Sequence, residues 1–174
     1  MRSRIDNRAG KAIGILALML GLAIAVSASA TAKAGGTDRP FRSNASGTVR
    51  LDLATNAFVA ELEGPATHGG RGSVRLEGTG AFRPDFSFAG TGEMIIVASN
   101  GDELYGDATL TTTPFTAGDV EHTTTVITTI TGGTGRFDDA TGTLTSVQEI
   151  TPMGVEGTTL INRLEGPTRG HISY

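Results

Sequence analysis

From residue 45 onward, apolar side chains recur at every second position: Val49, Leu51, Leu53; Phe58, Ala60, Leu62; Val74, Leu76; Leu104, Ala108, Leu110; Val126, Ile130; Leu144, Ile150; Leu160, Leu164. That is the strand period, because successive side chains point to opposite faces of a pleat. Threonine lies mostly inside these runs (Thr109, Thr111 to Thr113, Thr123 to Thr125, Thr128, Thr129), where a β-branched residue fits. Turn signals separate the runs: Thr55-Asn56, Gly69-Gly70, Arg83-Pro84-Asp85, Ser99-Asn100-Gly101-Asp102, Ala117-Gly118-Asp119, Gly132-Gly133, Pro152-Met153-Gly154 and Gly166-Pro167. The spacing predicts eight strands, at 45–54, 57–65, 67–80, 86–98, 103–114, 120–131, 140–151 and 157–173, the last with a potential break at Gly166-Pro167. No helical period occurs in this part of the chain.

Glycine also falls inside the predicted strands, at Gly78 and Gly80, Gly90 and Gly92, Gly106 and Gly142. Glycines two apart share a face, where they let a strand coil sharply or let a neighbour cross closely. A closed all-β antiparallel barrel uses this more than a two-sheet sandwich does, so the barrel is the preferred architecture. Met94-Ile95-Ile96-Val97-Ala98 is apolar on both faces and follows Phe86 and Phe88. Its outer face needs a cover, either a second copy in a homo-oligomer or the chain's own segment around Phe41.

The N-terminus has another character. Arg2, Arg4, Arg8 and Lys11 precede an apolar stretch from Ala12 to Val26, and small residues with Ala-x-Ala spacing run from Ser27 to Ala34. This is the layout of a secretory signal, with cleavage expected after Ala30, Ala32 or Ala34. The apolar stretch falls short of the ~20 residues of a spanning helix, so contact with a membrane is expected only during export. The chain thus divides into a signal peptide with a short helix (1–34), a flexible mature N-terminus (35–44) and a barrel domain (45–174), with a secreted or periplasmic destination. There is no cysteine, hence no disulfide and no lipid attached through cysteine. Residues 1–34 hold five of the 14 bases and one of the 18 acids, which leaves nine arginines against 17 acids and a net charge of −8. Such a balance repels phosphate backbones, and nucleic acid is not expected as a partner.

Candidate chemistry is sparse. Gly132-Gly133-Thr134-Gly135 invites a nucleotide reading, but a phosphate loop needs a helix immediately after it, and Asp138-Asp139 stand where the anion would go. The segment reads instead as a sheet corner. His68, His122 and His171 have no ligand-like spacing, so no metal is implied; no serine sits in a Gly-x-Ser-x-Gly elbow; and no cofactor is indicated. Three polar residues remain as ligand-binding candidates. Asn162 shares a strand face with Leu160 and Leu164, and Gln148 shares one with Ser146 and Ile150. Amides on otherwise apolar faces can orient a ligand inside a cavity, or bond a neighbouring backbone. His68, just before Gly69-Gly70-Arg71, can act as an acid, a base or a ligand donor at a barrel mouth, or simply brace a turn.

The stretch Gly132-Gly133-Thr134-Gly135-Arg136-Phe137 with Ala140 and Gly142 resembles the glycine-rich segment of dirigent proteins and of allene oxide cyclases. Ala66-Thr67-His68-Gly69-Gly70-Arg71, Ser99-Asn100-Gly101-Asp102-Glu103-Leu104-Tyr105-Gly106 and the ending Gly170-His171-Ile172-Ser173-Tyr174 extend the resemblance, to bacterial secreted proteins with an allene-oxide-cyclase-like barrel. It covers about residues 45–174. The resemblance implies an eight-stranded antiparallel, calycin-like barrel, often trimeric, with a central cavity. It also implies architectural roles for the turn glycines, for Phe137 as a plug at one barrel end and for Ala140. The family's acids and its cyclase cysteine have no counterpart at the matched positions.

Three function classes stay open, in this order. The first is an exported barrel that binds a small apolar ligand and has no catalytic constellation. The second is a cyclase or isomerase acting by confinement. The third is a structural or interaction protein whose interior is filled by Phe58, Phe86, Phe88, Phe137 and the leucines.

Overall fold

The computed structural model describes residues 36–115 and 122–174. The expected signal peptide and the Ala117-Gly118-Asp119 turn lie outside the described residues. Eight strands follow one another: β1 (Asp38–Asp52), β2 (Ala57–Ala66), β3 (Gly70–Phe82), β4 (Phe88–Val97), β5 (Glu103–Thr112), β6 (His122–Gly133), β7 (Thr141–Glu156) and β8 (Thr159–Ser173). Each pairs antiparallel with the next, and β1 pairs with β8, so the sheet closes into a barrel in chain order. Closure removes both free edges, the standing hazard of an open sheet.

The alternation read from the sequence becomes an inside and an outside. On β6, His122, Thr124, Val126, Thr128 and Ile130 are buried, while Ile127, Thr129 and Thr131 face out and are exposed. β2 buries Phe58, Ala60, Leu62 and Gly64 in the same way. Turn chemistry sets where strands stop. At the β1–β2 turn the Asp52 carboxylate accepts the Ala54 N–H at 2.8 Å and the Thr55 hydroxyl at 3.0 Å. These bonds, the Ala54 N–H first, hold its pKa below the ordinary carboxylate value. At the β3–β4 turn Asp85 does the same for the hydroxyl and N–H of Ser87, at 2.7 and 3.0 Å.

The glycine segment forms a corner between β6 and β7. Glu103 donates its N–H to Thr134 Oγ1 at 2.9 Å, Thr134 returns its own N–H to the Glu103 carbonyl at 2.8 Å, and a single 3-10 turn follows at Gly135–Phe137. Gly135 has φ +57°, and a Cβ there would strike the Asp102 carboxylate. The corner turns Phe137 inward, where it is buried and meets Tyr174 edge-on at 4.9 Å.

Four details depart from the expected strand map. Residues 38–44, expected as a flexible lead-in, form the first half of β1, because β8 extends to Ser173 and pairs with them from Asp38↔Ser173 to Asn44↔Pro167. Gly166-Pro167 does not break β8; Gly166 pairs with Ala45 at the barrel seam. Pro152-Met153-Gly154 is not a turn but a register irregularity inside β7, which runs on to Glu156, and the chain reverses at Gly157 with φ +61°. Phe86 lies in the β3–β4 turn with φ +64° and is 68% exposed, so it fills no part of the interior.

Phe41 is a buried interior residue of β1 and gives no cover to the outer face of β4. Ile95, on that outer face, remains 37% exposed.

Close strand contact depends on glycine at the seam between β1 and β2. A Cβ on Gly47 would run into the Glu61 carbonyl and come within 2.7 Å of Leu62 Cα, whereas one on Gly154 would meet nothing within 4 Å. Gly47→Ala should therefore destabilise by about 2–3 kcal/mol, and Gly154→Ala should stay within about 0.5 kcal/mol of the parent. Urea unfolding of both variants measures the difference, and equal stabilities would contradict the close seam.

Candidate binding cavity

The barrel interior is not filled uniformly. Near the corner that carries Phe137 it is solid: Leu104, Leu144, Ile172, Thr128 and Ala140 are all fully buried. Elsewhere the inward positions carry small residues, among them Ala45, Ala60, Gly64 and Ala66, and a cavity remains. Its volume is ≈ 100 Å³, counted as space open to the centre of a water-sized sphere. One water needs roughly 10–15 Å³ on that measure, so the space takes several waters or a small organic molecule. Phe41, Phe58, Phe88, Met94, Leu62 and Leu76 supply much of the apolar wall. Phe58 and Phe88 pack edge-on at 6.2 Å, Phe88 meets Phe82 at 5.2 Å, and Phe115 meets the buried His122 at 4.2 Å. These ring pairs give one end of the cavity an aromatic lining.

Polar groups enter this wall at specific registers. Thr112 pairs with Thr124, Thr124 pairs with Gln148, and the next strand offers Gly166, 2.8 Å from Gln148 Cα if it bore a Cβ. Gln148 therefore sits between a threonine and a residue without a side chain. Asn162 lies one strand over, paired with Val49. Two residues before Gln148 on β7, Ser146 shares a hydrogen bond of 2.7 Å with Thr168, its partner on β8. Thr112 Oγ1 is also engaged, accepting the Phe88 N–H at 2.8 Å.

The two amides differ from these hydroxyls. Gln148 and Asn162 are 4% and 6% exposed, both line the cavity, and neither side chain has a hydrogen-bond partner among the described residues. A buried amide normally has one, since leaving it unpaired costs about 1–3 kcal/mol. Of the described side chains, Arg39 Nε alone is sealed from all open space without a partner, so the amide atoms border the cavity itself. The arrangement offers donors and acceptors to whatever occupies it.

His68 is placed differently. It sits in the β2–β3 turn with φ +64°, and its Nε2 lies 3.1 Å from the Pro40 carbonyl, with the ring edge-on to Tyr174 at 6.1 Å. Residues 38–42 of β1 overhang the end of β2, and the neighbouring Thr67 joins them too: its N–H goes to the Arg42 carbonyl and its Oγ1 accepts the Arg42 N–H, both at 2.8 Å. His68 thus braces the overhang and does not line the cavity. The fold brings Gln148 and Asn162 to one cavity and leaves His68 on the rim. Thr124 and Thr112 are lining residues that the sequence reading did not single out; their shared parity with Val126 and Leu110 carries the signal.

The ionisable residues lie elsewhere. Among the described residues, no Asp, Glu, Arg, Lys or His lines the cavity. Tyr105, on the outer surface, donates to Glu103 at 2.5 Å, and that bond raises the phenol's pKa. Among the described residues no group of three His, Cys, Asp or Glu side chains is placed to hold a metal. No family model, curated protein or solved structure matches the chain.

Unpaired amides in an apolar wall are a stability cost that leucine would remove. Gln148→Leu and Asn162→Leu should each raise the stability of the ligand-free protein by about 1 kcal/mol. Thermal or urea unfolding checks this, and a loss of similar size would show that the amides hold the fold together.

Proposed function

We propose that this protein is an exported barrel that binds a small, largely apolar molecule in its interior. The observation that carries the reading is the pair of buried, unpartnered amides of Gln148 and Asn162 in the wall of an apolar cavity. A fold that spends stability on such groups gains orientation of a guest. Export is supported by the basic, apolar and small-residue order of residues 1–34. Kinship with the allene-oxide-cyclase-like and dirigent-like proteins is supported by the closed eight-stranded barrel and by the glycine corner that delivers Phe137 to one end. A second copy seated on the outer face, over Ile95, Ile127 and Val147, which are 37%, 48% and 45% exposed, completes the proposal as a homo-oligomer.

Native mass spectrometry of protein purified from its source tests both parts at once. The expected spectrum shows a multiple of the protomer mass with one non-covalent small molecule per protomer, and the His68→Ala variant retains that molecule. Bare protein that also takes up no apolar probe on incubation would refute the binding reading. A turnover activity that disappears in His68→Ala would move the protein to the cyclase or isomerase class.

A further inference from the structure

Resting on the binding reading above, we infer that the cavity selects uncharged ligands that bear a neutral hydrogen-bonding group, such as an alcohol, a ketone, an ester or an amide, and discriminates against their ionised counterparts. The inference comes from what the wall contains and from what it lacks. Gln148 and Asn162, both more than nine-tenths buried, present free carbonyl acceptors and free N–H donors to the cavity. Thr124, paired with Gln148, adds a buried hydroxyl at the same register. A polar head therefore has partners at this point, while the aromatic and aliphatic wall takes the apolar body.

Among the described residues, none that lines the cavity carries a charge. An ionised carboxylate brought here gives up its hydration for the neutral N–H donors of two amides, and no described lining residue supplies a cation to neutralise it. An ammonium finds no carboxylate. The acidic balance of the chain, −4 in total, adds a weaker repulsion for anions on approach.

Three probes of one chain length separate the terms: 1-hexanol, hexanoate at pH 7.5, and hexane. Binding to the purified protein is followed through the NMR shifts of interior methyl groups. Hexanol should bind at least about tenfold more tightly than hexanoate, the equivalent of about 1.4 kcal/mol, and more tightly than hexane. In Gln148→Leu combined with Asn162→Leu, the preference for hexanol over hexane should vanish while hexane binding persists; Gln148→Met serves if the leucine variant does not fold. Hexanoate binding as tightly as hexanol would overturn the inference. Hexane binding as tightly as hexanol in the parent protein would also overturn it, but would leave the binding reading intact. Failure of all three probes to enter the cavity would remove the inference and the binding reading together.

Discussion

Closure of the sheet between β1 and β8 is the constraint on which the rest of the structure depends. The seam runs over the whole of β1, from Asp38↔Ser173 to Asp52↔Thr159. It fixes which parity of each strand faces inward, because a slip of one residue would turn every side chain to the opposite face. With the seam in place, Phe41, Ala45 and Leu51 on β1 and Leu164 and Ile172 on β8 are buried, and Asn162 is carried inward with them. An open sheet of the same strands would expose Asn162 to water, and its amide would signify nothing. The polar character of the interior is thus a consequence of register as much as of residue choice.

Closure also explains how a small barrel keeps open space. Eight strands enclose an interior that ordinary side chains are able to fill, and at the Phe137 end they do. Toward the middle of the seam, glycine and alanine replace larger residues on the inward face, with Gly64 beside Ala45 and Gly166 beside Gln148. At these glycines the backbones approach closely, since a Cβ on Gly166 would meet the Val147 carbonyl and one on Gly64 the Asn44 carbonyl. The open space lies instead against short inward side chains such as Ala45, Ala60 and Ala66.

Much of this was legible before any coordinates. Alternation of apolar positions located all eight strands, since a half-buried strand has no other way to satisfy two environments. The placing of Gln148 and Asn162 on inward faces followed from their parity with Ile150 and with Leu160 and Leu164. Reading Gly132-Gly133-Thr134-Gly135 as a corner followed from the lack of helix-forming residues after it. What escaped was long-range in origin. Residues 38–44 have too little apolar alternation to announce a strand, and they become one because β8 is long enough to pair with them. For His68 the sequence leaves a mouth role and a turn brace both open, because its partner, the carbonyl of Pro40, is distant in sequence. Phe86 was placed inside by alternation alone; Asp85 capping Ser87 ended the turn later and left the ring outside.

The central claim is that the closed barrel keeps an apolar interior space bordered by two free amides. Diffraction from crystals pressurised with xenon tests it most directly, since xenon enters apolar cavities and reports their position as electron density. The account predicts a xenon peak inside the barrel among Phe58, Met94, Leu62 and Leu76, with the Gln148 and Asn162 amides unbonded to protein in the same map. An interior packed solid by side chains, with no xenon and with both amides bonded to neighbouring backbone, would contradict it.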